Sequence, residues 1–311
     1  MSLDKQCSDL LNSFKEQGVK SFNEMSIEEA RLTSMGFVEL QGIEEPVGKV
    51  IDTLIDSDNI KLPLRVYYPK SKGPHPVLLY FHGGGFIFGN IQLVDKIARC
   101  LCNLTGMAVV SVDYRKAPEN PYPAALNDAQ SSLNWIAAEG SKFDLDSKKI
   151  AVIGDSAGGN LATVLTQIAR DHKGPHIFHQ VLVYPVTDAK GVYSSRKEFG
   201  TGYLLETNDM HWFFKNYLGD SFDENNPHIS PIKGNLVGLP SATIISAGYD
   251  PLRDEVESYA EALKGAGVDV NLIKNPTMIH GFIWMKGVVS HADKVFKMIA
   301  DDLKSKLKEI S

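Results

Sequence analysis

Five long, largely apolar runs constrain this chain more than any other feature: PVLLYFH (76–82), MAVVSVDY (107–114), KIAVIGD (149–155), QVLVYP (180–185) and SATIISAG (241–248). They are rich in Val and Ile and lack a regular alternation with polar residues. Strands of this kind need cover on both faces, which a parallel sheet between two layers of helices provides. Helical spacing recurs between them, around 93–104, 124–138, 254–265 and 288–307. After Gly159, Leu161, Val164, Leu165 and Ile168 fall at i, i+3, i+4 and i+7. Leu62, Leu64, Val66 and Tyr68 alternate as a half-buried strand does, and VDVNLIK (268–274) completes the set. The pattern predicts an α/β fold, a mostly parallel central sheet with helices on both faces, over residues 46–311.

Two stretches fall outside this rhythm. Residues 1–45 read as helix: Leu10, Leu11 and Phe14 lie at helical spacing, and Ser26 with Glu29 makes a capping-box pattern. Residues 188–225 carry aromatics in no strand period, including the helical-looking MHWFFKNYL (210–218). An insertion there lies at the C-terminal edge of the sheet, where open α/β sheets hold their sites. The expectation is a helical cap made of 1–45 and 188–225. Trp212, Phe213, Phe214 and Tyr217 would partly pack on the core and partly wall a pocket.

The sharpest chemical signal is Gly154-Asp155-Ser156-Ala157-Gly158, placed between an apolar strand and an amphipathic helix. A serine on such a strand-to-helix turn takes strained backbone angles, and the two elements nearly touch, so glycine is demanded on either side. The helix N-terminus would also favour a developing negative charge. Ser246 lacks the glycine two positions before it and is set aside. A second signal, His82-Gly83-Gly84-Gly85-Phe86, follows a buried strand. It fits a loop whose backbone N–H groups stabilise an oxyanion, a plain flexible turn being the bland alternative. A dinucleotide fingerprint would need glycine where Phe88 stands, and a phosphate loop would need Gly-Lys-Ser/Thr.

A nucleophilic serine requires a base and an orienting carboxylate. His280 follows the last strand, where a loop returns to the C-terminal edge of the sheet. Asp250, in Gly248-Tyr249-Asp250-Pro251-Leu252, ends the strand before it, giving the chain order Ser…Asp…His. Asp254 and Glu255 are nearby, but read as first-turn acids of the next helix.

The combination of His82-Gly83-Gly84-Gly85-Phe86, Gly154-Asp155-Ser156-Ala157-Gly158-Gly159-Asn160, Asp250-Pro251-Leu252 and His280-Gly281-Phe282 resembles the bacterial hormone-sensitive-lipase-like esterases. So does Asp113-Tyr114-Arg115-Lys116-Ala117-Pro118-Glu119, followed by Pro121-Tyr122-Pro123-Ala124-Ala125. The resemblance spans about residue 45 to the C-terminus and implies an α/β-hydrolase fold. It implies Ser156 as nucleophile, His280 as base and Asp250 as its partner, and an oxyanion hole from the N–H groups of Gly84, Gly85 and Ala157. His82 and Gly83 would shape that loop, with Asp155 as a supporting motif residue. The implied activity is hydrolysis of short- to medium-chain carboxylic esters through an acyl-enzyme, with no metal or organic cofactor. An amidase or acyltransferase could use the same triad, because the fold does not fix the leaving group. A non-catalytic small-ligand receptor on this fold is the reading from a different class, and His280 argues against it. Asp113 and Arg115 are expected to form buried, purely structural ion pairs.

A formal net charge of −6 argues against nucleic-acid and anionic-membrane partners. Cys7, Cys100 and Cys102 are a poor disulfide framework, as reduced thiols in the cytosol would be. The charged N-terminus lacks a signal-peptide core, and no run approaches the roughly 18 apolar residues of a membrane span. The expectation is a cytoplasmic protein acting on a small-molecule ester, without membrane insertion and with a homodimer permitted.

Overall fold

The structure is a computed structural model and describes residues 2–310. The chain runs α1 (Lys5–Glu16), α2 (Ile27–Ser34), α3 (Phe37–Leu40), β1 (Lys49–Ser57), β2 (Ile60–Tyr68), β3 (His75–Phe81), α4 (Asp95–Thr105), β4 (Ala108–Val112) and α5 (Ala124–Glu139). It continues through β5 (Leu145–Asp155), α6 (Ala157–Asp171), β6 (Ile177–Val183), α7 (Ser194–Glu198), α8 (Thr207–Leu218), β7 (Ser241–Tyr249), α9 (Arg253–Gly265), β8 (Val270–Ile279) and α10 (His291–Glu309). The strands form one sheet in the order β1-β2-β4-β3-β5-β6-β7-β8. From β4 to β8 every pairing is parallel; β1 and β2 are antiparallel additions.

The apolar runs became the central strands. Every residue of β4 and β6 is buried, as strands covered on both faces must be. The expected α/β fold is therefore the observed one. The strand β1 was not anticipated: it is an edge strand whose Leu54 is 61% exposed, so its residues carry no clear period-two signal.

This strand order fixes where the chemistry can sit. The chain leaves β3, β5, β7 and β8 at the same C-terminal edge, and the loops that follow hold His82–Phe86, Ser156, Asp250 and His280. Because β3 pairs with β5, the glycine loop lies beside the serine turn. Because β7 pairs with β8, Asp250 lies beside His280. A register shift between Ala247 and Tyr249 tilts the ends of that second pair. Gly248 permits it, since a Cβ there would collide with the backbone of Pro276.

Arg115 forms the expected buried ion pair, with Asp128, which is 0% exposed and also accepts from Ser57. The expectation for Asp113 is corrected. Asp113 instead pairs with Lys116, its own side chain 24% exposed. The sequence named no partner for Arg115, because Asp128 comes from the first turns of α5, a contact made only by tertiary packing. Asp128→Ala should lower the unfolding free energy in urea titration by about 3 kcal/mol or more. Asp113→Ala should cost less than about 1 kcal/mol. Equal losses would contradict this assignment.

Among the described residues, no helix is long and apolar enough to cross a membrane.

Candidate active site

Ser156 sits between β5 and α6 with φ 55° and ψ −119°, a conformation that side chains rarely adopt. The strain is held from both sides: the Ser156 N–H donates to Val183 O at 2.9 Å, and its carbonyl accepts from Asn160 N at 3.1 Å and Val186 N at 3.2 Å. A Cβ on Gly154 would strike the Gly158 carbonyl, and one on Gly158 would strike the Phe81 carbonyl. The turn is thus possible only where strand and helix backbones come within touching distance.

Asp250 is fully buried just beyond β7. Its Oδ1 accepts from the Leu252 N–H at 2.8 Å, which orients the carboxylate, and its Oδ2 lies 2.7 Å from His280 Nδ1. A carboxylate only accepts, so that ring nitrogen carries the proton. The other nitrogen, Nε2, lies 3.0 Å from Ser156 Oγ and is free to accept from it. The ring is braced by Tyr184, whose centroid is 4.4 Å away. Nothing in the sequence singled out Tyr184. Of the two neighbouring acids, Asp254 is engaged by Ser195 and Arg253, and Glu255 by Arg196 and the N–H groups of Thr187 and Asp188. Glu255 is not a solvent-facing helix cap: it is 0% exposed and ties the residues after β6 to α9.

On the other side of Ser156, Gly84 and Gly85 take φ values of 117° and 59°, open to glycine alone without strain. A side chain on Gly85 would meet the ring of Phe213 from α8, and one on Gly83 would meet the Asp155 carboxylate. Ala157 is the first residue of α6, where an N–H has no partner within the helix. The structure therefore brings Ser156, Asp250, His280, Gly84, Gly85 and Ala157 together. His82 and Asp155 lie behind them.

The His82 ring stacks on Tyr114 at 4.3 Å, and its Nδ1 lies 2.7 Å from the Gly83 carbonyl, so it supports the loop's shape. Burial pushes its pKa down to about 4, keeping the ring neutral. Asp155 accepts from the Tyr80 hydroxyl at 2.9 Å and from the Gly83 backbone. Burial pushes its carboxyl up to about 7, against the opposing pull of Tyr80, His280 and the Gly83 N–H.

The cavity over Ser156 is small, ≈ 50 Å³, and Ser156, His280, Gly84, Gly85 and Asp155 are among its lining residues. Its walls are apolar. Phe213 comes from α8, Phe22 and Phe37 from the N-terminal segment, and Trp284 from the turn after His280. Of the aromatics in 210–218, Phe213 lines this cavity, whereas Tyr217 stacks on Phe86 at 3.8 Å. The two irregular stretches also meet directly: Asn23 N donates to Asp209 Oδ1 at 2.8 Å, and Phe22 lies 5.8 Å from Phe213. The contributions of Phe22, Phe37, Leu204 and Trp284 to the walls had no motif to reveal them.

The raised Asp155 carboxyl has a definite sign. Between the ordinary carboxylate range and about pH 7 the folded state holds a proton that the unfolded state has released, so this group's contribution falls as pH rises through that window. Between urea titrations at about pH 5 and about pH 8, the stability of wild type relative to Asp155→Asn should fall by up to about 3 kcal/mol. A pH-independent difference would show the carboxyl to be ordinary.

A family model described as alpha/beta hydrolase fold matches residues 78–284. The chain is 42% identical over 241 residues to the carboxylic ester hydrolase LipN of Mycobacterium tuberculosis, covering 75% of this chain and 64% of that protein. It is 35% identical over 262 residues to an ethyl acetate hydrolase of Pseudomonas putida, covering 82% of each. Among solved structures, the hyperthermophilic esterase of the archaeon Pyrobaculum calidifontis superimposes with a TM-score of 0.93 at 37% identity. That match covers 98% of this chain and 99% of the other.

Proposed function

This chain belongs to the α/β-hydrolase-fold family and is an ester hydrolase, and we propose that it cleaves short- to medium-chain carboxylic esters through Ser156, His280 and Asp250. The observation that carries the residue assignment is the single imidazole that spans Asp250 at 2.7 Å and Ser156 at 3.0 Å, beside a small apolar cavity.

In this mechanism Ser156 Oγ attacks the ester carbonyl carbon while its proton passes to His280 Nε2. The carbonyl oxygen becomes an oxyanion held by the N–H groups of Gly84, Gly85 and Ala157, with the α6 N-terminus behind them. Collapse breaks the bond to the alcohol oxygen, which takes the proton back from His280, and the acyl group remains on Ser156. Water repeats the sequence in reverse roles, giving its proton to His280 and releasing the acid. Asp250 stays ionised throughout, holding the ring's tautomer and offsetting its transient positive charge.

Residues 1–45 and 188–225 act as the cap over the 46–311 core in this reading. The Asn23–Asp209 hydrogen bonds and the Phe22–Phe213 contact support it, since they tie the two stretches together and Phe22 and Phe213 both line the cavity. The small cavity volume supports short acyl groups, and the substrate is a small-molecule ester. A cytoplasmic location is supported by three buried, unpaired cysteines, whose thiols burial pushes up to between about 11 and about 12.

A phosphonate probe should label Ser156 alone in peptide mapping, and Ser156→Ala should abolish both labelling and turnover of ethyl acetate. Asp250→Asn should lower kcat on the order of 10⁴-fold, because the ring is then offered the wrong tautomer. Asp254→Asn should retain near-wild-type turnover. The reverse ranking of the two aspartates would remove the assignment.

A further inference from the structure

Behind the aromatic wall of the catalytic cavity lies a second and larger one. The cavity at Ser156 measures ≈ 50 Å³ and its neighbour ≈ 330 Å³, and three side chains, Phe22, Phe37 and Leu204, line both. Ring contacts show that they form a partition. Phe37 faces Trp284 of the catalytic cavity at 5.7 Å and Phe14 of the second cavity at 6.4 Å. Phe22 touches Phe88 at 4.8 Å on the catalytic side, while Met25, three residues on, lines the far side.

Leu204 closes the third side in an unusual way. Its φ is +76°, a left-handed conformation in which a branched side chain is strained. Its Cδ2 lies 3.6 Å from the place a Cβ on Gly281 would occupy, next to His280. A strained backbone thus holds an apolar side chain in the gap between the two cavities.

We propose that the second cavity is a subsite for an unbranched alkyl chain of the ester, reached past a partition of Phe22, Phe37 and Leu204. Its walls include Leu10, Phe14, Met25 and Leu40, which would take apolar carbon out of water and offer no fixed charge partner at that face. Exposed Gln17 and Lys20 lie at its border, so a chain longer than the cavity can reach solvent there. Closed, the partition confines the ester group to the smaller space; displaced, it joins the two. The inference rests on the reading of Ser156 as an ester-cleaving nucleophile.

The test compares kcat/KM for ethyl acetate, ethyl octanoate and octyl acetate in the wild type, Leu204→Gly, Phe22→Ala and Leu204→Gly/Ser13→Trp. Glycine suits the backbone of residue 204 and removes the plug; tryptophan at Ser13 fills the second cavity from its far side. The ratio of kcat/KM for an eight-carbon ester, ethyl octanoate or octyl acetate, to that for ethyl acetate should rise on the order of tenfold or more in Leu204→Gly and fall back in the double variant. A rise confined to ethyl octanoate places the acyl chain in the subsite; one confined to octyl acetate places the alcohol's chain there. Unchanged ratios in variants that still turn over ethyl acetate overturn the proposal, as does a gain that survives Ser13→Trp. If Leu204→Gly does not fold, Phe22→Ala decides in the same way. Labelling of Ser156 by a small phosphonate without turnover of any ester would instead count against the ester-cleaving reading itself.

Discussion

Everything at this site depends on one close approach, that of β5 to α6 at Ser156. The serine can point out of the sheet edge only because the strand turns into the helix within a single residue of positive φ. That turn brings the Gly154 and Gly158 backbones together and presses Gly158 against the end of β3. The same approach brings the glycine loop after β3 beside the first N–H of α6, so the Ser156 hydroxyl and the N–H groups of Gly84, Gly85 and Ala157 share one geometric cause. The conformational strain is offset by the buried backbone bonds from Ser156 to Val183, Asn160 and Val186.

The Asp250–His280 pair is held by a separate device. Asp250 and His280 stand at the ends of neighbouring strands, where the register shift between β7 and β8 re-aims the chain. The turn after Asp250 is bonded in turn to the inserted segment: Ser195 Oγ donates to the Pro251 carbonyl at 2.8 Å, and buried Glu255 receives the N–H groups of Thr187 and Asp188 while pairing with Arg196. Part of the 188–225 stretch and the turn that carries Asp250 are therefore parts of one hydrogen-bonded unit. A change in one has a direct physical path to the other.

The N-terminal segment is attached differently. Arg31 of α2 donates to the Ile87 and Ala117 carbonyls and pairs with Glu119, holding the Glu119 carboxyl down at about 2. Phe22 and Phe37 then reach over the cavity from a segment whose chain is far from Ser156 in sequence. The walls of the cavity are consequently set by contacts across the molecule, while Ser156, Asp250, His280 and the glycine loop lie on four short loops at one sheet edge.

Much of this was legible in the residues alone. The unbroken apolar strands called for a sheet covered on both faces, and the glycines around Ser156 pointed to crowding between backbones rather than to a chance Gly-Ser turn. Asp250 and His280 followed from their places at strand ends and their order along the chain. Local backbone demands and hydrophobic period leave marks in the sequence because each acts over a few neighbouring residues. Tyr184 beside His280, Asp128 beneath Arg115, Glu255 turned inward to Arg196, and Leu204 strained between two cavities left none. Each is an ordinary residue type whose role comes from what lies opposite it, and what lies opposite is decided only when distant segments pack.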